Sequence, residues 1–287
     1  MGTIIEHPSI STRGWRPWGG ALRLAVAAAH TCLRSASSTA TDLDLLVNTG
    51  IYRERNLGEP ALAALIQQDV GANPEDPHSD GHGTFSFDIA NGTCGVLTAL
   101  QVIDGFLRSG AARRALVVTS DADPGHGLTN GFPFGATGGA LLCRWTDGDR
   151  GLGPVHWVNA SDGGAAFGSA VQFRDGHNRL SFTKSSTMDK HFAEVAADAV
   201  HGCLFEAGIS MSNVDSMAAA PGGPGFSAAL AERLGIDQER IAVARTPGVH
   251  TAALISALRG VRVTAGSRLL LVAAGAGITA GAALYRV

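Results

Sequence analysis

A cysteine and a histidine stand at comparable places in two similar stretches of the chain. Cys94 lies in FDIANGTCGVLTAL, where a strand-like segment passes through Asn91-Gly92 into an apolar helical pattern. Helices are usually capped by Ser, Thr, Asp or Asn, whereas the partial positive charge of a helix N-terminus favours a thiolate. His250 precedes the equivalent helical pattern in RTPGVHTAALISAL. A thiol facing an imidazole is an activated nucleophile, so we predict Cys94 as the nucleophile and His250 as its base.

The two stretches are parts of a longer internal repeat. An Ala-rich amphipathic helix, a polar turn and an Asp leading into a short buried strand occur at residues 22–50 and again at 192–222. A strand, a glycine turn, a helix and a continuous apolar strand occur at residues 85–122 and again at 240–277. These periodicities indicate helices and buried strands of the parallel type. A pseudo-twofold axis between the copies would point the two helix starts at each other.

The order of these elements predicts an α/β protein made of two pseudo-symmetric halves. We place the halves at residues 1–148 and 149–287, because the segment at residues 144–154 is rich in Gly and in charged residues. The chain has 287 residues, of which 45% are hydrophobic, and is therefore long enough to bury a large core.

Charge and cysteine content exclude several classes of function. The net charge of −3 comes without a basic run, so we expect neither nucleic acid nor an acidic membrane as a partner. The four cysteines lack CxxC spacing and the first twenty residues lack a signal-peptide pattern, which indicates reduced thiols in a cytoplasm. His78, Asp80 and His82 alternate as metal ligands do, but PHSDGHG is more typical of a solvated loop, so we predict no metal site.

Four segments resemble the thiolase-like superfamily, and most closely beta-ketoacyl-acyl carrier protein synthase III. FDIANGTCGVLTAL is similar to the segment around the family's active cysteine, and LRSGAARRALVVTSDA to the helix end and core strand after it. FPFGATGGALLCRW resembles the FGDGAGA turn, with Ala136 and Thr137 in place of Asp and Gly. SRLLLVAAGAGITAGAALYRV is similar to the closing strands and their GAG turn. The resemblance implies the thiolase-like duplicated fold, a layered α-β-α-β-α sandwich.

Three departures from the synthase pattern bear on the chemistry. An ungapped match puts Thr93 at the nucleophile position, whereas counting from Asn91, as in the thiolase pattern, restores Cys94. We favour Cys94, because a neutral hydroxyl is a far weaker nucleophile than a thiolate. MAAAPGGPGF at residues 217–226 replaces the family's His-Gln-Ala-Asn motif. Gly-Val-His-Thr replaces Gly-Asn-Thr and puts His250 near the asparagine position, as in the Gly-His-Pro of thiolases.

The resemblance and its departures imply an acyltransferase. Without His-Gln-Ala-Asn, the enolate left by malonyl decarboxylation would lose much of its oxyanion support. Cys94 would instead take an acyl group from acyl-CoA or an acyl carrier protein, with the oxyanion held by its own N–H and by that of Gly275 or Gly277. His250 would then deprotonate a small-molecule acceptor. No cofactor is implied, and such accessory enzymes are typical of bacterial secondary metabolism.

Two other hypotheses remain open. The missing motif and the altered FGDGAGA turn also fit a non-catalytic subunit of a heteromeric ketosynthase III-like enzyme. A thiolase-like carbon–carbon condensing enzyme would use His250, but Gly275 to Gly277 stand where thiolases have a second cysteine. The family also implies a dimer, because the alternating strand at residues 84–89 would pair with its twin across a twofold axis. The partner would be a second copy or, in a heterodimer, a complete family member.

Overall fold

Two five-stranded sheets form the framework of the protein in the computed structural model. The structure describes residues 2–12, 20–53, 58–73, 83–125, 132–160, 167–174, 177–275 and 277–287. His78, Asp80 and His82 lie outside these described residues.

The chain alternates strands with helices in both halves. The helices are α1 (Ala21–Ser35), α2 (Leu62–Val70), α3 (Gly95–Arg108), α4 (Met188–Glu206), α5 (Pro224–Leu234) and α6 (Ala253–Gly260). The strands are β1 (Gly2–Thr12), β2 (Leu45–Asn48), β3 (Phe85–Asp88), β4 (Arg114–Asp121), β5 (Thr137–Thr146), β6 (Gly151–Asn159), β7 (Phe167–Arg174), β8 (His177–Lys184), β9 (Ser216–Ala220), β10 (Ile241–Ala242), β11 (Arg268–Gly275) and β12 (Thr279–Arg286).

The two sheets have the same topology, which confirms the duplicated fold. The first sheet has the order β1-β5-β4-β2-β3, and the second has the equivalent order β6-β12-β11-β9-β10. In the first, β2 is parallel to β3 and β4, and β5 runs antiparallel to its neighbours. In the second, β9 is parallel to β10 and β11, and β12 runs antiparallel to its neighbours. The expected boundary after residue 148 falls in the turn between β5 and β6.

Helices and sheets stack in five layers. Helices α1 and α2 cover the outer face of the first sheet, and α4 and α5 cover the outer face of the second. Helices α3 and α6 lie between the sheets and bury apolar side chains toward both of them, including Leu97, Leu100, Leu254 and Ile255. Burial on several sides explains why α3 carries apolar residues around much of its circumference. No helix in the described ranges is long and apolar enough to cross a membrane.

The inner helices bring the ends of four segments to one place. Strand β4 ends at Asp121 and β11 ends at Gly275, and a 3₁₀ turn at Gly92–Cys94 leads into α3. The turn that carries His250 leads into α6. Ligand sites in α/β proteins lie at such strand ends, so this seam between the halves is the place expected for a functional site.

Strand β3 is the outer strand of the first sheet. It pairs with β2 on one side only, and the Phe85 side chain is 59% exposed, next to Phe87 and Phe106. An exposed, partly aromatic edge strand is a site where sheets from two molecules pair. These features are compatible with the dimer that the sequence implies, which stays a prediction.

We predict that Phe85→Lys weakens a dimer formed through β3 by at least about tenfold, because a charged side chain at a sheet edge opposes strand pairing. Analytical ultracentrifugation at micromolar concentration measures the change. Phe205→Lys is the matched control, since Phe205 is 87% exposed on α4 and should leave the association unchanged. A wild-type protein that sediments as a folded monomer would contradict the prediction.

Candidate active site

A buried carboxylate and a histidine from opposite halves of the chain meet at the seam. Asp121 ends β4 in the first half, and His250 lies just before α6 in the second. The Nδ1 atom of His250 lies 3.2 Å from Oδ2 of Asp121. The carboxylate is almost completely buried, and the imidazole side chain is 11% exposed. A carboxylate that orients an imidazole in this way is the acid–base pair of many acyl-transfer enzymes.

Asp121 is held by hydrogen bonds from both halves. Its Oδ1 accepts from the backbone N–H groups of Ile51 (3.3 Å) and Tyr52 (3.0 Å). Its Oδ2 accepts from the backbone N–H (2.9 Å) and the hydroxyl (2.6 Å) of Thr251. Burial raises the pKa of Asp121, but the charge of His250 and these hydrogen bonds outweigh it and keep that pKa below its ordinary value. The group is therefore an ionised acceptor at neutral pH.

The imidazole of His250 is held flat against an aromatic ring. The Phe134 ring stacks on it with a centroid distance of 4.0 Å and an interplanar angle of 19°. The turn carrying Phe134 is tied to the turn carrying His250 by a hydrogen bond of 2.9 Å from the Gly135 N–H to the Gly248 carbonyl. A Cβ on Gly248 would lie 2.8 Å from the Gly135 nitrogen, and Gly248 has a φ of +75°, so both turns depend on that glycine.

The other nitrogen of His250 faces the 3₁₀ turn. Its Nε2 lies 3.7 Å from the position that a Cβ on Gly92 would occupy. A cavity of about 440 Å³ opens here, and both Thr93 and His250 line it. The walls are largely apolar, with Phe134, Phe167 and Phe192, and the glycine-rich segment at residues 221–225 completes them. The lining also includes the ionisable residues Lys184 and Asp189, so His250 and the Thr93 hydroxyl share a mainly apolar cavity with two further charged groups.

Thr93, which an ungapped match to the synthase pattern puts at the nucleophile position, lines this cavity. Its side chain is buried, and its hydroxyl donates a short hydrogen bond to the carbonyl of Ala274. Gly275 packs directly against it, since a Cβ there would lie 3.2 Å from Oγ1 of Thr93 and 3.2 Å from Sγ of Cys94. Gly277 lies two residues further along, in a turn with a φ of +79°.

The surroundings of Cys94 differ from those expected for a nucleophile paired with His250. Thr93 is among the described residues that line the cavity, and Cys94 is not. The thiol is completely buried in the core between the sheets, 3.5 Å from the carbonyl oxygen of Thr279. Burial raises the pKa of Cys94 to about 12, the opposite of what an activated thiol requires.

Sequence reasoning missed Asp121 and Phe134. Asp121 could have been predicted, because it is a carboxylate at the end of the continuous apolar strand ALVVTSD. A charge in such a buried strand needs a specific partner. Phe134 lies in the turn that departs from FGDGAGA, and nothing local in the sequence indicates that its ring stacks on His250.

Sequence comparisons relate most of the chain to one family. A model of the family described as 3-Oxoacyl-[acyl-carrier-protein (ACP)] synthase III matches residues 87–163. The beta-ketoacyl-[acyl-carrier-protein] synthase III of Erythrobacter litoralis is 27% identical over 284 residues, which cover 92% of this chain and 83% of the relative. The enzyme of the same name from Rhodospirillum rubrum is 28% identical over 287 residues, with the same two coverages.

Solved structures share the fold over nearly the whole chain. The 3-oxoacyl-(acyl carrier protein) synthase III of Pseudomonas aeruginosa PAO1 has a TM-score of 0.81 at 18% identity and covers 100% of this chain and 98% of that one. OleA of Xanthomonas campestris, solved with bound lauric acid and lauroyl-CoA, has a TM-score of 0.77 at 17% identity and covers 96% and 85%. At these identities the structural similarity establishes the fold alone.

The two equivalent sheets, the paired inner helices and the site at their seam define the class of the molecule: it is an α/β protein with the thiolase-like fold. Within that class, the family model and the curated relatives make the chain similar to the ketosynthases III.

The placement of the thiols leads to a direct prediction. All four cysteines are buried, and burial raises the pKa of Cys32 and Cys94 to about 12 and that of Cys203 to about 11. At pH 8 a thiol with a pKa of 12 is about 10⁻⁴ thiolate. We therefore expect iodoacetamide to leave the folded protein unlabelled at pH 8, by intact-mass measurement, and to label all four thiols after unfolding. Rapid labelling of Cys94 in the folded protein would contradict this.

Proposed function

We propose that the protein is an acyltransferase that moves an acyl group from an acyl thioester to a small acceptor, with Thr93 in the nucleophile position and His250 as the base. The observation that carries the proposal is the buried Asp121–His250 pair. Nε2 of His250, the nitrogen that does not contact Asp121, faces the same cavity that Thr93 lines. Acyl-CoA or an acyl carrier protein is the proposed donor, by analogy with the synthases III that the chain resembles.

A hydroxyl in place of a thiol makes the orienting carboxylate necessary. A threonine hydroxyl is not ionised at neutral pH, so it needs a base to remove its proton as it attacks. His250 supplies that base only if its Nε2 carries the lone pair, and the Nδ1 contact with ionised Asp121 requires the hydrogen to be on Nδ1.

The proposed reaction has two balanced steps. The Thr93 hydroxyl gives up its hydrogen bond to the Ala274 carbonyl and turns toward His250, Oγ1 attacks the thioester carbonyl, and its proton passes to Nε2 of His250. When the C–S bond breaks, the leaving thiolate takes that proton, which yields an acyl-threonine ester and a free thiol. The acceptor hydroxyl or amine then gives its proton to His250 and attacks the ester, and the departing Thr93 oxygen recovers the proton.

The oxyanion formed in both steps needs backbone donors near Thr93. Gly275 packs against the Thr93 hydroxyl, and Gly277 follows in the next turn. The proposed oxyanion hole consists of the N–H groups of these two glycines and the N–H of Thr93. The backbone N–H of Cys94 donates to the Asn91 carbonyl, so the N–H of Thr93 takes the role first given to that of Cys94.

Malonyl decarboxylation is not part of the proposal. Among the described residues that line the cavity, His250 is the only histidine and there is no asparagine. Pro221 and the glycines after it lie where the family carries His-Gln-Ala-Asn. An enolate formed here would therefore lack the paired His and Asn donors of the family motif, and removing a single oxyanion donor already costs about 3–4 kcal/mol in well-studied enzymes.

The first test of the proposal is a covalent adduct. We expect intact-mass analysis after incubation with acyl-CoA thioesters of increasing chain length, or with the acyl carrier protein thioesters, to show one added acyl group. The adduct should persist in Cys94→Ala and be lost in Thr93→Ala, and Thr93→Ser should retain it because a primary hydroxyl remains. Peptide mapping should find the acyl group on Thr93.

Each failure of this experiment has a separate meaning. An adduct that survives Thr93→Ala and is lost in Cys94→Ala would restore the cysteine mechanism. The absence of an adduct with every thioester, together with one-to-one co-purification with a complete family member, would overturn the proposal in favour of the non-catalytic subunit.

The second test concerns the orienting carboxylate. We predict that Asp121→Asn slows acylation of Thr93 by about 10²–10⁴-fold, because an amide permits the tautomer of His250 with the hydrogen on Nε2. Single-turnover rates from quenched intact-mass samples measure it. Asp104→Asn is the matched control, because Asp104 is also buried and hydrogen-bonded but lies on α3, bound to Thr3 and Arg108. Equal rates in wild type and Asp121→Asn would refute the role of the pair.

A further inference from the structure

Two buried threonines form a line behind the Asp121–His250 pair. The Thr119 hydroxyl donates to Oγ1 of Thr251 at 2.6 Å, and the Thr251 hydroxyl donates to Oδ2 of Asp121 at 2.6 Å. Oδ2 is the same oxygen that faces Nδ1 of His250. Thr119 and Thr251 are completely buried. This line of hydrogen bonds starts at Thr119 in the first half and passes through Thr251 in the second. It then returns to Asp121 in the first half, which contacts the imidazole of His250.

We propose that Thr251, supported by Thr119, is a positioning residue that fixes the orientation of Asp121 and, through it, the tautomer of His250. This inference rests on the proposed function and adds to it the residues that control the tautomer of the proposed base, His250. Neither threonine is among the residues that line the cavity, so neither is offered as a group that touches substrate.

The direction of each hydrogen bond follows from the chemistry of the groups. An ionised carboxylate only accepts, so the Thr251 hydroxyl must give its single hydrogen to Asp121. Thr251 can then only accept from Thr119, whose hydrogen points along the line. Both oxygens of Asp121 are already occupied by backbone donors, including those of Tyr52 and Thr251. Every donor favours the ionised carboxylate, and the hydrogen on the Asp121–His250 contact must come from Nδ1.

The local structure explains why these are threonines. Thr119 and Asp121 are two residues apart on β4, so they share one face of the strand. Thr251 directly follows His250, so the same short turn supplies both the imidazole and the hydroxyl that orients its partner. A β-branched side chain has few allowed rotamers, and complete burial prevents water from replacing the hydroxyl.

The variant Thr251→Val tests the proposal, because valine keeps the shape and removes the hydroxyl. With ¹⁵N-labelled histidine, the long-range ¹H–¹⁵N spectrum of His250, assigned with His250→Gln, reports its tautomer directly. We expect the hydrogen to be on Nδ1 in the wild type and to divide between the two nitrogens in Thr251→Val. We also expect the single-turnover acylation rate to fall about tenfold, with the thioester concentration for half-maximal rate unchanged.

The controls separate positioning from stability. Thr251→Ser keeps the hydroxyl and should restore the wild-type tautomer and rate. Thr3→Val removes another buried threonine-to-aspartate hydrogen bond, that of Thr3 with Asp104 at 2.8 Å, and should leave both unchanged. Thr119→Val should have a smaller effect than Thr251→Val, and no effect in the Thr251→Val background, because it acts only through Thr251.

The outcomes are distinct from those of the acylation test. The tautomer is measured without any thioester, so a shift in Thr251→Val supports the positioning role even if no adduct forms. A wild-type tautomer and rate in folded Thr251→Val would overturn the inference while leaving acyl transfer intact. If Thr251→Val fails to fold, Thr119→Val decides: a tautomer of His250 identical to that of the wild type counts against the line of threonines.

Discussion

The structure depends on keeping one carboxylate charged inside the protein. An ionised group away from water is tolerated only where every lone pair is occupied, and Asp121 meets this requirement with donors from both halves of the chain. Its position on β4 is fixed by the first sheet, whereas His250 and Thr251 arrive with the start of α6. The electrostatic requirement and the packing of the inner helices therefore impose the same relative position on the two halves, and that position defines the cavity.

The fold could be predicted from the sequence because the patterns that indicate its helices and strands are local and occur twice. Apolar strands, Ala-rich helices and glycine turns repeat in the same order. A helix or strand assigned wrongly in one copy would have had to be assigned wrongly in the other copy as well. The choice between Thr93 and Cys94 as the nucleophile could not be predicted in this way. Thr93 and Cys94 are neighbours, and only their contacts with Ala274 and Thr279, more than 180 residues away, decide which one faces the cavity. Intrinsic reactivity favours the thiol, whereas burial raises the pKa of Cys94 and favours Thr93 in the proposed reaction.

The comparison with solved structures shows that the fold is kept at low sequence identity. The chain keeps the architecture of synthase III structures at 18–21% identity, with TM-scores of 0.76 to 0.81. At the residues that would support decarboxylation it has alanine, proline and glycine instead. Gly275 approaches Thr93 so closely that a Cβ there would lie 3.2 Å from the Thr93 hydroxyl oxygen, so this position requires a residue without a side chain.

The equivalence of the two sheets has a consequence for how such a site can originate. In a symmetric pair of identical half-length chains, the starts of the two inner helices would carry the same residue, so a hydroxyl could face only a hydroxyl and an imidazole only an imidazole. Joining the copies in one gene removes that restriction, because each helix start is then encoded separately. Thr93 before one inner helix and His250 before the other line the same cavity, and two unlike residues at equivalent positions require that the halves be encoded separately.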